Sequence, residues 1–93
     1  MEKFKLANNG MYIGDSLESS DRYIKWTIDE DKQVLDIVST YVDKQYGGQG
    51  LGSELVYAAD DYARENNYQV KGTCPFAHTV IERSDKHRDL LIQ

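Results

Sequence analysis

The hydrophobic pattern of the chain changes its period once, near residue 43, and this change restricts the folds open to it. Before that point, apolar and β-branched residues alternate or form short runs, which is typical of strands. After it, apolar residues recur every three or four positions from Leu51 to Ala63, as on one face of an amphipathic helix. Strands followed by helical segments indicate a fold of the α+β class.

The segment before the change of period predicts four strands. The first two form a hairpin, because apolar residues alternate with lysines near Phe4 and Leu6 and the turn sequence Asn-Asn-Gly follows at residues 8–10. Two longer strands are predicted at residues 23–28 and 34–42, where β-branched and aromatic residues are frequent. We expect these strands to form a mainly antiparallel sheet.

The segment after residue 43 predicts a helix, a strand and a second helix. The first helix ends at Asn66-Asn67, a short strand covers residues 68–72, and Pro75 begins a second helix that reaches about Arg83. Proline suits the first position of a helix, where its missing N–H group loses no partner. The apolar residues near the C-terminus, Leu90, Leu91 and Ile92, predict one more strand or one helical turn. The predicted fold is an α+β domain in which a four-stranded, mainly antiparallel sheet precedes helix, strand and helix.

Composition and charge exclude several kinds of partner. The 93 residues fit one globular domain over residues 1–93. With 11 basic and 16 acidic residues, the net charge of −5 disfavours nucleic acid, whose phosphates need Lys and Arg. The chain lacks an apolar run of about 18 residues, and its first residues, MEKFKLANN, lack the apolar region of a signal peptide. We therefore expect no membrane partner and a cytoplasmic location.

Four glycines lie within six residues where the last of the four strands meets the first helix. They are Gly47, Gly48, Gly50 and Gly52. Glycines leave backbone N–H groups uncovered, and at a helix N-terminus such groups form an anion site, so we expect a phosphate-bearing ligand. A P-loop is excluded, because Ser53 and Glu54 stand where it needs Lys and Ser or Thr. The alternative, a tight turn without a ligand, would require only one glycine.

The order G-x-x-G-x-G between a strand and a helix resembles the signature [R/Q]-x-x-G-x-[G/A] of the GNAT N-acetyltransferases. Residues 45–50 match it literally, whereas residues 47–52 fit the helix better and place Gly47 where the family has Arg or Gln. The stretch GGQGLGSELVYAADDYARENN, followed by a strand and Cys74-Pro75-Phe76, is similar to a group of short single-domain GNAT-like proteins. This resemblance is firmest over residues 38–83.

The resemblance implies that the chain binds acetyl-CoA or CoA and acetylates an amine acceptor, either a small molecule or a protein. In the family, the loop binds the pyrophosphate and the preceding strand contacts the pantetheine arm. The implied cofactor-binding residues are Thr40, Tyr41, Val42, Gly47, Gly48, Gln49, Gly50, Leu51, Gly52 and Ser53. Ser39 stands where this group commonly has histidine. The alternative is a CoA-binding or protein-interaction module without turnover, because the chain is short for an acceptor site.

Cys74 is the candidate catalytic residue. It is predicted to cap the second helix, where free N–H groups favour the nucleophilic thiolate, and the resembling group has its proposed catalytic cysteine there. Two roles stay open: the thiolate accepts the acetyl group, or it lines the acetyl pocket while the group passes directly to the amine. A buried cysteine that acts as a small hydrophobic residue is the alternative without chemistry. As the only cysteine, it forms no internal disulfide and no cysteine zinc site.

Histidines and a charged run complete the candidates. His78 lies one helical turn after Cys74 and is a candidate general base, although a surface position is the commoner explanation for such a residue. The spacing of His78 and His87 does not suit a metal, so no metal site is expected. The charged run at residues 82–89 is predicted to be a solvated face, with basic members that can reach a CoA 3′-phosphate.

Overall fold

Five strands and two helices follow one another in a computed structural model that describes residues 3–92. The elements are β1 (Lys5–Ala7), β2 (Gly10–Tyr12), β3 (Arg22–Asp29), β4 (Val34–Val42), α1 (Leu51–Glu65), β5 (Gln69–Gly72) and α2 (Pro75–Glu82). Short 3-10 helices cover Lys44–Tyr46 and Arg88–Leu90. The predicted α+β class and order of elements are confirmed.

The sheet contains five strands in the order β1-β2-β3-β4-β5, not the four predicted. The first four strands are antiparallel neighbours, and β5 pairs in parallel with β4 from Val34 to Ile37. The fifth strand joins the sheet because α1 carries the chain back to the free edge of β4, as a parallel connection requires. The tail adds a single parallel bridge between Val70 and Leu91.

Both helices pack on one face of this sheet, and the core lies between the two layers. Ile24, Trp26, Leu35 and Ile37 point from β3 and β4 into the core. The ring of Trp26 stacks on that of Tyr62 in α1, with centroids 5.2 Å apart. Burial of apolar side chains of this size stabilises the fold by about 1.5–3 kcal/mol each. Neither helix of the described residues is long and apolar enough to cross a bilayer.

A β-bulge in β4 interrupts its pairing with β3. Lys25 pairs with Ser39, but the next residue of β3, Trp26, pairs with Ile37. Val38 is therefore an extra residue without a partner on β3. A bulge of this kind reverses the alternation of side chains, because a strand has a period of two.

The segment after α2 is attached to the C-terminal half of α1 by polar contacts. His87 is only 3% exposed, and its Nε2 lies 2.8 Å from Oδ1 of Asp61, while its Nδ1 lies 3.1 Å from the hydroxyl of Ser84. Arg64 forms two hydrogen bonds to the carboxylate of Asp89. The prediction that the run at residues 82–89 is entirely solvated is therefore wrong at His87.

Asp60 is a buried carboxyl group beside this contact. It is fully buried, and neither of its oxygens has a hydrogen-bond partner among the described residues. Burial, aided by the charge of Asp61 and opposed by that of Arg64, raises the pKa of Asp60 to about 8. Nδ1 of His87 lies 3.8 Å from Oδ2 of Asp60. The fold therefore favours the uncharged form of this group at neutral pH.

The raised pKa predicts a pH-dependent gain in stability for Asp60→Asn. Near pH 3 the native carboxyl group is uncharged in both the folded and the unfolded chain. As the pH rises toward about 8, the group ionises in the unfolded chain but stays uncharged in the folded one, which increasingly favours unfolding. Asparagine does not ionise, so the variant should exceed the native free energy of unfolding by on the order of 2 kcal/mol at pH 8. The advantage should disappear at pH 3.

Urea denaturation of both proteins at pH 3 and pH 8 measures this difference. Asp15→Asn is the control, because it makes the same side-chain change at an exposed position. An Asp60→Asn advantage that is the same at both pH values would contradict the assignment.

Candidate functional site

The connection between β4 and α1 is a tight turn with two left-handed glycines. Oδ1 of Asp43 accepts a hydrogen bond from the backbone N–H of Gln45 at 3.1 Å, which starts the 3-10 helix. Gly48 has φ 78° and Gly50 has φ 74°, a region that side-chain-bearing residues rarely adopt. The path of the backbone therefore strongly favours glycine at these two positions.

This path leaves consecutive backbone N–H groups without partners. The N–H of Gly47 donates to the carbonyl of Lys44, and that of Glu54 donates to the carbonyl of Gly50. Between them, the six N–H groups of residues 48–53 have no acceptor within residues 3–92. They lie at the N-terminus of a 15-residue helix, whose dipole favours negative charge there. The arrangement is suited to binding an anion.

A cavity of about 360 Å³ lies against these groups. It is lined by Thr40, Val42, Tyr46, Gly47, Gly48, Gly50, Leu51, Gly52, Ser53 and Phe76. Among these lining residues there is no Asp or Glu, although the chain carries a net charge of −5. Its size falls within the range of small-molecule sites.

The bulge at Val38 decides which side chains of β4 reach this cavity. Beyond it, Thr40 pairs with the buried Ile24, so that Thr40 and Val42 face the helices. Without the extra residue, the alternation would turn Tyr41 toward the helices instead.

The structure does not bring two of the predicted cofactor-binding residues to the cavity. Tyr41 lies on the opposite face of the sheet, where its ring packs 5.5 Å from that of Tyr23. The negative charge of Asp43 is the main cause that raises the pKa of the Tyr41 phenol. Gln49 is exposed and does not line the cavity.

The cavity borders a gap in the sheet between β4 and the start of α2. β5 ends at Gly72, and the carboxylate of Asp36 holds the next residue by accepting bonds from the N–H and hydroxyl of Thr73. The N–H of Cys74 then donates to the carbonyl of Ile37 at 2.9 Å. Within residues 3–92, no strand pairs with this edge of β4 beyond Ile37. Main-chain groups of β4 beyond that residue are therefore open to an extended ligand.

Cys74 lies on the far side of this gap. It is the N-cap residue of α2, with Pro75 at the first helical position, as predicted. Its half-buried thiol makes no capping hydrogen bond to the helix and instead contacts the hydroxyl of Thr40, with Sγ and Oγ1 3.7 Å apart. The structure thus joins Cys74 to the same strand that lines the cavity.

Other candidates lie outside this arrangement, and two further residues line the cavity. Nε2 of His78 lies 3.8 Å from the carboxylate of Glu82, one turn further along α2. Tyr46 and Phe76 line the cavity but were not predicted to do so. The sequence did contain a signal for both, because Tyr46 directly precedes the predicted Gly47 and Phe76 directly follows the Cys74-Pro75 pair.

Known proteins are similar to this chain in sequence and fold. A family model described as GCN5-related N-acetyl-transferase matches residues 16–90. One similar protein is a GCN5-like, proposed N-acetyltransferase from Staphylococcus aureus with an NMR solution structure, whose sequence is 32% identical to the chain. The alignment covers 97% of this chain and 87% of that protein. The two structures agree with a TM-score of 0.77. No curated protein matches the chain significantly.

The left-handed conformation of Gly50 predicts the effect of replacing it. Gly50→Ala should lower the free energy of unfolding by about 1–2 kcal/mol, because a Cβ atom is strained at positive φ. A Cβ atom would meet no other atom within 4 Å, so crowding does not contribute. Gly50→Asn should lose less, since Asn tolerates this conformation. Urea denaturation checks the order, and an alanine variant as stable as the native protein would refute it.

Proposed function

Since the chain belongs to the GCN5-related N-acetyltransferase family, we propose that it binds acetyl-CoA and transfers the acetyl group to an amine acceptor. The family uses a CoA thioester and an acceptor. The observation that carries the proposal is the row of unpaired N–H groups of residues 48–53 beside a cavity. Within the proposal, residues 1–93 act as one domain, in the cytoplasm, where the single thiol stays reduced.

The loop is proposed to bind the pyrophosphate through its backbone. The six free N–H groups of residues 48–53 supply donors, and the N-terminus of α1 supplies a favourable field. The absence of carboxylates from the cavity lining removes the repulsion that the net charge would otherwise cause. Gln49 takes part through its N–H, and Leu51 and Ser53 through theirs.

The pantetheine arm is proposed to follow β4 toward Cys74. The methyl groups of Thr40 and Val42 offer apolar contacts on the cavity side, and the unpaired edge of β4 offers main-chain donors and acceptors. Tyr41 takes part through its main chain, because its ring lies on the other face. This path leads from the N-terminus of α1 to the thiol.

Cys74 is proposed as the catalytic residue that contacts the acetyl group. Acetyl-CoA would supply the acetyl group as a thioester: the amine nitrogen bonds to the acetyl carbon, the carbon–sulfur bond breaks, and CoA leaves as its thiol with the proton that the amine loses. The only side chain that the thiol contacts by a hydrogen bond in residues 3–92 is the neutral hydroxyl of Thr40, so no side-chain base is in position to take the proton of the thiol. The direct route, in which Cys74 shapes the acetyl pocket, is therefore favoured over the covalent route.

A second function, CoA binding without turnover, is favoured by one observation. None of the described residues that line the cavity is His, Asp or Glu, so the cavity itself supplies no general base for an incoming ammonium. Nε2 of His78, which is only a candidate base, lies 3.8 Å from the carboxylate of Glu82. The two functions share the CoA site and differ only in whether an acetyl group leaves it.

Thermal unfolding with and without CoA tests the shared site. At a CoA concentration 100 times its Kd, the protein should be stabilised by about 2.7 kcal/mol. Ser53→Asp should abolish this shift, because its carboxylate takes the place of the phosphate at the third position of α1. The variant should stay folded, since a negative charge suits a helix N-terminus.

Asn67→Asp is the matched control. It adds the same charge in an exposed turn at the opposite end of α1 and should keep the full shift. No shift of the native protein at millimolar CoA, or an undiminished shift in Ser53→Asp, would overturn the proposed site.

Mass spectrometry distinguishes the two routes at Cys74. After incubation with acetyl-CoA and no acceptor, the direct route predicts that the protein gains no acetyl group at this residue. Cys74→Ser serves as the control for acetylation elsewhere. Stoichiometric acetylation that is lost in Cys74→Ser would instead establish the covalent route.

A further inference from the structure

The proposed phosphate site contains no cationic side chain of its own. The residues that line the cavity are neutral, and Gly47 provides no side chain at the first position of the loop. Backbone N–H groups orient a phosphate, but a guanidinium group adds full positive charge and paired donors. An arginine beside the cavity could therefore supply this charge without being part of the loop.

Arg22 is such a residue. It is the first residue of β3 and pairs with Val42, which lines the cavity. The guanidinium carbon of Arg22 lies 3.8 Å from the centroid of the Tyr46 ring, and Tyr46 also lines the cavity. Arg22 thus adjoins two residues of the cavity wall, and stacking on Tyr46 orients its guanidinium group.

The guanidinium group retains free donors in this position. Its Nε donates to Oδ1 of Asp21 at 3.1 Å, and no other acceptor within residues 3–92 bonds to it. The side chain is 23% exposed, so the charge is partly desolvated and acts more strongly than a surface lysine would. The two Nη groups are therefore available to an anion.

We propose that Arg22, held on the ring of Tyr46, binds a phosphate group of the CoA ligand from the β3 side of the cavity. This inference rests on the proposed CoA site. Arg22 supplies charge-assisted hydrogen bonds, and the N–H groups of the loop bind the ligand from the other side. Arg22 therefore contributes to affinity for phosphate-bearing ligands and not to affinity for the pantetheine arm.

Titration calorimetry of Arg22→Gln tests the assignment. The substitution keeps a side chain of similar length and removes the charge, and it should weaken CoA binding about tenfold. Arg22→Lys should lose less, because it retains the charge but not the planar stack on Tyr46. Lys32→Gln is the matched control, since it removes one positive charge from the exposed turn beyond the other end of β3.

Ligand fragments identify the phosphate. Dephospho-CoA retains the pyrophosphate, so an equal loss with this ligand assigns Arg22 to the pyrophosphate, whereas a loss restricted to CoA assigns it to the 3′-phosphate. Affinity for pantetheine, which has no phosphate, should not change. The dependence of CoA affinity on salt should also be weaker in Arg22→Gln than in the native protein.

Three results would overturn the inference. The first is an Arg22→Gln variant that binds CoA as tightly as the native protein. The second is an equal loss of affinity for CoA and pantetheine, which would indicate a structural effect. The third is an equal loss of CoA affinity in Lys32→Gln, which would indicate a long-range effect of charge. Failure of the native protein to bind CoA at all would instead refute the proposed function together with this inference.

Discussion

The extra residue at Val38 in β4 is the constraint on which the rest of the structure depends. Side chains alternate between the two faces of a strand, so one inserted residue exchanges the faces for every residue that follows. Leu35 and Ile37 fill the core before the bulge, and Thr40 and Val42 line the cavity after it. One local irregularity thus separates the part of the strand that builds the core from the part that builds the site.

The same point along β4 is where parallel pairing ends. β5 pairs with β4 only as far as Ile37, and the chain then leaves the sheet through Cys74 into α2. The resulting gap is bordered by the N-terminus of α1, then by a free strand edge and then by a thiol. A long, narrow ligand with a phosphate at one end and a reactive group at the other would match these three features in that order.

An acidic chain is compatible with the proposed anion site because the relevant fields are local. The N–H groups of residues 48–53 act over hydrogen-bond distances, whereas surface carboxylates are screened beyond about 8 Å at physiological ionic strength. The glycines at 48 and 50 make this possible by turning the backbone so that its N–H groups have no protein acceptor. Arg22 is the proposed source of the positive charge that the cavity lining lacks.

Local chemistry made much of the fold and part of the site predictable from the sequence. The glycines place the start of α1, and the Cys74-Pro75 pair places the start of α2, because both signals act within a few residues. The run VLDIVSTYV contains no mark of the bulge, so the outward direction of Tyr41 was not predictable. Burial of His87 was equally hidden, because its partner Asp61 lies 26 residues away in sequence.

The central claim is that backbone N–H groups of the glycine loop bind the phosphates of CoA. An NMR titration of the ¹⁵N-labelled protein with CoA tests it residue by residue. The largest amide shifts should occur in residues 48–53, because these groups exchange water for phosphate oxygens. Saturable binding that leaves those amides unchanged and shifts others instead would contradict the claim.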